Sequence, residues 1–248
     1  MDVGREEYES LGGGKLKYTV KPQVFELNPN LRFGIIIAKE LTNTETSPQE
    51  TERLRNAEKN AREIIKPEEL KAQPIIKGYR LVLENAGINP NKFVNSVEAM
   101  MKRVLKGGKL PTINSLVDLC NAISIEQQIS LGGHDLADIE EDLFVGFTNG
   151  TEKFLPFGEE EYEQVEAGEL AFISGKVVQT RKWVWRQSEL GKMTLDTHDV
   201  FFQLVGFDDA PESALIKSLD ALEEILKQKF KGTYKRYIVK PENPEIEF

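Results

Sequence analysis

The sequence predicts an α+β fold, with helices in the first half of the chain and a mainly antiparallel sheet followed by a closing helix in the second. Three observations support this. Apolar residues recur at helical spacing between Ser47 and Ile123, strand-like alternation takes over after Leu143, and one unbroken apolar run, Phe33 to Ala38, reads as a strand buried on both faces. At 248 residues, 40% hydrophobic and 29% charged, the chain is long enough to bury a sizeable core.

Residues 1–20 are polar and carry Gly12-Gly13-Gly14, which predicts a flexible N-terminal segment ahead of a single domain over 21–240. After the Phe33–Ala38 strand and a polar loop at Thr42 to Thr46, Ser47-Pro48-Gln49-Glu50 opens a helix. Ser47 caps it, Pro48 takes the first helical position, and Glu50 returns the capping-box bond. Leu54, Ala57, Ala61 and Ile64 stripe this helix, and Pro67 limits its reach. A second helix, Pro74 to Ala86, places Ile75, Tyr79, Val82 and Ala86 at helical spacing and closes at Gly87. A third starts at Asn95, buries Val97, Met101, Val104 and Leu105, and ends at Gly107-Gly108. Lys102, Arg103, Lys106 and Lys109 gather in and after its last turns. They suit the negative helix end, and they also form the chain's best basic patch for phosphate or RNA contact.

The stretch from Leu110 to Asp135 stands apart. Its 24 residues from Leu110 to Gly133 hold two charges, Asp118 and Glu126, in a chain that is 29% charged, which points to burial or to a pocket wall. A helix over Ile113 to Ile123 puts Leu116, Leu119, Cys120 and Ile123 on one face and Asn114, Asp118 and Asn121 in a stripe opposite. Such short polar side chains suit either a ligand wall or the anchoring of the following loop. Gly132-Gly133-His134-Asp135 reads as that loop.

In the second half, Asn149-Gly150 between two apolar-alternating runs predicts a hairpin within Leu143 to Phe157, and Ala167-Gly168 a further turn. Leu170 to Ile173 and Val177 to Trp185 read as strands joined at Ser174-Gly175. Alternation along the second of these puts Arg181, Trp183 and Trp185 on one face. There they either stack on a base, ribose or aromatic amino acid, or form core with Arg181 on a carboxylate. In the strand His198 to Phe207, Gln203 shares a face with Phe201 and Val205, and an amide so placed reads as a pocket wall. A helix from Glu212 to Phe230, a strand from Tyr234 to Val239 and an exposed tail at 241–248 complete the chain.

Several function classes are excluded at this level. Two histidines and one cysteine are too few for an ordinary zinc site, and the phosphate-binding and catalytic loops of the common enzyme classes are absent, so no metal and no cofactor is expected. No apolar run approaches the roughly 18 residues that would suggest a membrane span, and the first residues lack a signal pattern, so a cytoplasmic protein is expected. Cys120 reads as a buried small hydrophobe. The net charge of −9 means that nucleic-acid binding would rely on a local basic patch.

Taken as a run of motifs, Leu110-Pro111-Thr112-Ile113-Asn114-Ser115-Leu116-Val117-Asp118 through Asn121, Leu131-Gly132-Gly133-His134-Asp135, Gly168-Glu169 and Arg181-Lys182-Trp183-Val184-Trp185-Arg186 resemble one family. They are similar to the B3/B4 domain, the tRNA-editing module of the bacterial phenylalanyl-tRNA synthetase β subunit, over about Phe93 to Phe207. The resemblance implies an α+β fold with a pocket between two halves, and hydrolysis of tyrosine wrongly attached to the phenylalanine tRNA. Gly132 stands where the family has a pocket histidine, with His134 two residues on. Thr197 matches the family's threonine, and Gln203 stands where a glutamate reads the tyrosine hydroxyl.

Two readings follow. One is a free-standing domain that binds aminoacyl-tRNA and hydrolyses mischarged species in trans, as an aminoacyl-tRNA deacylase. The other is a binding module without turnover, whose pocket serves an amino-acid-like ligand, RNA or a protein partner. Both place the pocket at Asn114, Asp118, Asn121, Gly132, His134, Asp135, Arg181, Trp183, Trp185, Thr197 and Gln203.

Overall fold

The computed structural model describes residues 15–248. Strand β1 (Lys17–Val20) and the short helix α1 (Pro22–Leu27) lead into β2 (Arg32–Lys39). Helix α2 (Pro48–Ile64) then starts at the Ser47 capping box, where the Ser47 side chain accepts from the Glu50 N–H and Glu50 accepts from the Ser47 N–H. Three further helices follow, α3 (Pro74–Asn85), α4 (Ser96–Leu105) capped by Asn95, and α5 (Ser115–Gln127) capped by Asn114. Strands β3 (Ser130–Asp135), β4 (Leu143–Phe147), β5 (Lys153–Phe154), β6 (Glu163–Gln164), β7 (Leu170–Ser174), β8 (Val177–Arg181), β9 (Arg186–Gln187) and β10 (Val200–Gly206) make up most of the second half. Helix α6 (Ala214–Ile225), continued by a π-helical turn at Leu226–Phe230, precedes β11 (Thr233–Val239) and β12 (Glu245–Glu247).

The strands form two sheets. The smaller runs β11-β2-β10-β3, and the larger runs β12-β1-β4-β7-β8-β5-β6 with β9 paired to β8. Most pairs are antiparallel, and β1–β4 and β5–β8 are parallel. The two-sided burial of β2 is explained by what covers each face. Phe33, Ile35 and Ile37 pack in one core with Tyr18, Val145 and Phe172 of the larger sheet and with residues of α2, α3 and α4. Ile36 and Ala38 pack in a second core with α5 and α6. Helix α6 comes close because Gly34 faces it: a Cβ there would lie 2.7 Å from Leu219 Cδ1.

The structure corrects four local expectations. Gly150 does turn, with φ +91°, but Asn149-Gly150 makes no hairpin. The Glu152 carboxylate accepts from both turn N–H groups, and β4 has β1 and β7 on its two edges, so β5 pairs elsewhere. The Gly132–Asp135 loop is the strand β3, because its backbone pairs in register with β10. The tail at 241–248 carries β12, which pairs with β1 and buries Ile246; β1 itself falls inside the segment expected to be flexible. The remainder of that segment, residues 1–14, lies outside the described residues. Lastly, β8 stops at Arg181 rather than continuing to Trp185.

Candidate functional site

The end of β8 has an electrostatic cause. Glu169 is almost wholly buried, and its carboxylate accepts from Arg181 Nε at 3.0 Å and Nη2 at 2.7 Å, from the Lys182 backbone N–H at 3.1 Å, and from Lys182 Nζ. Burial pushes the Glu169 carboxyl up, but the bonds from Arg181 and Lys182 outweigh it and hold the group below the usual carboxylate range. Bound in this way, the chain enters the left-handed region at two consecutive non-glycine residues, Lys182 (φ 48°) and Trp183 (φ 64°). Such residues cost roughly 1–3 kcal/mol each. The turn drives Trp183 inward, edge-on to Tyr79 at 6.0 Å, and lays Trp185 against Phe93 at 4.9 Å.

This hook closes one side of a cleft with two chambers. The larger, about 570 Å³, lies between the start of α5, strand β3, Phe157 and the segment from Gln187 to Leu195. That volume is in the range of small-molecule sites. The smaller, about 180 Å³, lies on the other side of β3 among Gln203, His134, Ser96 and Met100 of α4, and the 183–185 hook. Asn121, Leu131, Gly132 and Gln187 border both chambers. Gly132 has no side chain to separate them, and a Cβ there would meet only His134 Nε2, at 3.7 Å. The edge of β3 is covered by the same segment, since Gln187 Nε2 donates to the Gly133 carbonyl and the Asp135 N–H to the Gly191 carbonyl.

Asn114, Asn121, Gly132, His134, Trp183, Trp185 and Gln203 therefore border the cleft. Asn114 also holds its roof: Oδ1 caps α5 by accepting from the Val117 N–H, and Nδ2 donates to the Met193 carbonyl at 3.0 Å. Asn121 has no side-chain hydrogen-bond partner among the described residues, and Gln203 Oε1 accepts from the Tyr18 hydroxyl at 2.7 Å.

The other expected pocket residues lie off the cleft. Asp118 accepts from Thr46 Oγ1 at 2.6 Å and from the Ile113 N–H at 3.0 Å, tying down the approach to α5; helix α5 is buried nearly all round, so its polar stripe is not one surface. Asp135 accepts from the Ala137 N–H and from Thr197 Oγ1, which makes both residues part of a buried turn. Arg181 is occupied by Glu169 and Glu163, and the break in β8 removes the single face it was expected to share with the two tryptophans. In the basic patch, Lys102 pairs with the buried Glu98 at 2.7 Å, while Arg103, Lys106 and Lys109 are exposed.

No carboxylate borders either chamber. Cys120 borders the larger one, but burial, with Asp118 nearby, pushes its thiol up to about 12 and leaves it unreactive. His134 is 2% exposed and edge-on to Phe172 at 4.9 Å; burial pushes its imidazole down to about 4 against an opposing interaction with Gln179. Its Nδ1 and Gln179 Oε1 are both buried without a well-formed hydrogen bond, on either side of Gly191. Between about pH 6.5 and pH 4 the unfolded chain takes up a proton that folded His134 refuses, so stability falls with acid across that window and levels off below it. His134→Gln is expected to remove about 3 kcal/mol of that loss, read as the difference in urea unfolding between pH 7 and pH 4 against the parent.

Sequence reasoning missed Gln187, Met193 and Leu195, which form the cleft's roof, because that segment has neither helical nor strand periodicity. With Ile113 and Phe157, Leu195 also gives the larger chamber an exposed apolar rim. Among the described residues there is no group of three or more His, Cys, Asp or Glu that could hold a metal, and no helix long and apolar enough to cross a membrane.

Comparison with curated proteins finds no match. Among solved structures, an N-terminal fragment of the phenylalanyl-tRNA synthetase β-subunit from Pyrococcus horikoshii is similar over 98% of this chain and 57% of its own length, with 13% identity and a TM-score of 0.41. This chain thus spans little more than half of that fragment. The B3/4 domain matches residues 78–231, which is more than half of the 248 residues, and the chain belongs to the B3/4 domain family.

Proposed function

We propose that this B3/4 domain binds the aminoacyl end of a charged tRNA in the two-chambered cleft and releases the amino acid by hydrolysing its ester. The observation that carries this reading is the convergence of Asn121, Gly132, His134, Trp183 and Gln203, distant in sequence, on one cleft of suitable size. The chambers lack a carboxylate, so the attacking water is held by neutral polar groups, with the substrate's neighbouring ribose hydroxyl assisting and solvent kept out. Water adds to the acyl carbon, the ester C–O bond breaks, and the proton goes to the departing ribose oxygen.

Phosphate contact falls to the exposed cations after α4. Arg103 lies one turn beyond Met100, a wall residue of the smaller chamber, and Lys106 and Lys109 continue from it. Changing all three to glutamate is expected to weaken tRNA binding at least tenfold and to lower the salt slope by about 2, measured by filter binding across a salt series. Binding that ignores both salt and these residues would contradict the RNA contact. A second reading, binding without turnover, is favoured by the structural occupation of Asp118 and Asp135, since no ionised group is left to act as a base. Single-turnover mixing with charged tRNA separates the two.

A further inference from the structure

The smaller chamber is bordered by hydrogen-bond donors that the protein leaves without acceptors. Trp183 is 1% exposed and borders the chamber, and its indole Nε1–H has no acceptor among the described residues. Gln203 lies opposite Gly132 in the β10–β3 ladder. Its Oε1 already accepts from the Tyr18 hydroxyl, so the two Nε2 hydrogens are what remain for the chamber. An unpaired buried N–H is disfavoured and uncommon. Here the backbone adopts left-handed geometry at Lys182 and Trp183 while placing that indole, which points from an observed strain to a use.

No cation accompanies these donors. Arg181 and Lys182 are both turned onto Glu169, and burial keeps His134 neutral. We infer that the smaller chamber is a subsite for an uncharged carbonyl oxygen, the acyl ester or amide oxygen of an amino-acid-like ligand, held by Trp183 Nε1 and Gln203 Nε2. A carboxylate would be buried there with no counter-charge. A hydroxyl would bring a proton that needs an acceptor of its own. A carbonyl, with two lone pairs and no proton, satisfies both donors. The inference deepens the proposed function by naming the groups that hold the acyl oxygen, and it rests on that reading only for the amino-acid-like character of the ligand.

The chain has two tryptophans, so Trp185→Phe leaves Trp183 as the sole indole reporter. Titration of this variant with L-phenylalaninamide is expected to give a saturable change in indole emission. L-phenylalaninol, which carries a hydroxyl in place of the carbonyl, and L-phenylalanine, which carries a carboxylate, are expected to bind at least about tenfold more weakly. In the parent background, Trp183→Phe removes one donor, and Gln203→Glu removes the other while keeping an acceptor for Tyr18. Each is expected to weaken the amide about tenfold in calorimetry. Should either variant fail to fold, the comparison of amide with alcohol on the unmodified chain decides alone. Equal binding of amide and alcohol, no binding of the amide at millimolar concentration, or saturation without any change at Trp183 would each overturn the assignment. Deacylation of charged tRNA without amide selectivity would leave the proposed function standing and remove this subsite, and amide selectivity without deacylation would do the reverse.

Discussion

Glu169→Ala is expected to destabilise the fold by about 3 kcal/mol and to abolish ligand binding in the cleft at the same time. One carboxylate holds two cations and the Lys182 N–H, and its side chain is 4% exposed. Removing it leaves Arg181 and Lys182 partly buried without a partner and releases the pair of left-handed residues that place Trp183. Urea unfolding checks the first effect, and indole emission from Trp183 in the Trp185→Phe background checks the second. Glu169→Gln keeps the shape and loses the charge, and is expected to fall between parent and alanine. Acid should mimic it: because the folded carboxyl lies below its usual value of 4.5, this stabilisation is present above that value and is lost as the pH falls through the lowered one. A shallower acid limb in Glu169→Gln than in the parent is the matching result.

Gly132→Leu is expected to cost less than about 1 kcal/mol of stability while reducing binding in the cleft about 100-fold or more. The backbone there is ordinary strand, paired with Gln203, and the first added carbon meets only His134 Nε2 at 3.7 Å. The rest of the leucine must lie in the passage between the chambers, next to Asn121 and Gln187. Gly133→Leu serves as the contrast, since a Cβ there would lie 2.5 Å from Met193 Sδ and force the roof to move, lowering stability as well as binding. Unfolding midpoints and ligand titrations on the two variants separate a blocked passage from a damaged fold.

The parts of this structure that were legible in the sequence are those fixed by local chemistry. Ser47-Pro48-Gln49-Glu50 encodes a capping box within four residues, and the unbroken Phe33–Ala38 run can only be a strand covered on both sides. The low charge of Leu110 to Gly133 correctly marked a segment that is mostly buried and borders a cavity. What failed depended on partners far away in sequence. Asn149-Gly150 carries a strong hairpin signal, but whether the flanking runs pair is decided by β1 and β7, which take both edges of β4. Alternation predicted one face for Arg181, Trp183 and Trp185, whereas Glu169, twelve residues before Arg181, bends the chain between them. The same limit applies to the acids. Asp118 and Asp135 are the residue type a hydrolytic site would use, and only the fold reveals that Thr46, Ile113, Ala137 and Thr197 already occupy them.

The most direct measurement is release of amino acid from a panel of mischarged tRNAs, beginning with tyrosine on the phenylalanine tRNA, by the parent chain and by Gly132→Leu. Release faster than in buffer by the parent, and lost in Gly132→Leu although that variant remains folded, is the predicted result. Release no faster than in buffer across the whole panel, or equal release by both proteins, would contradict hydrolysis in this cleft.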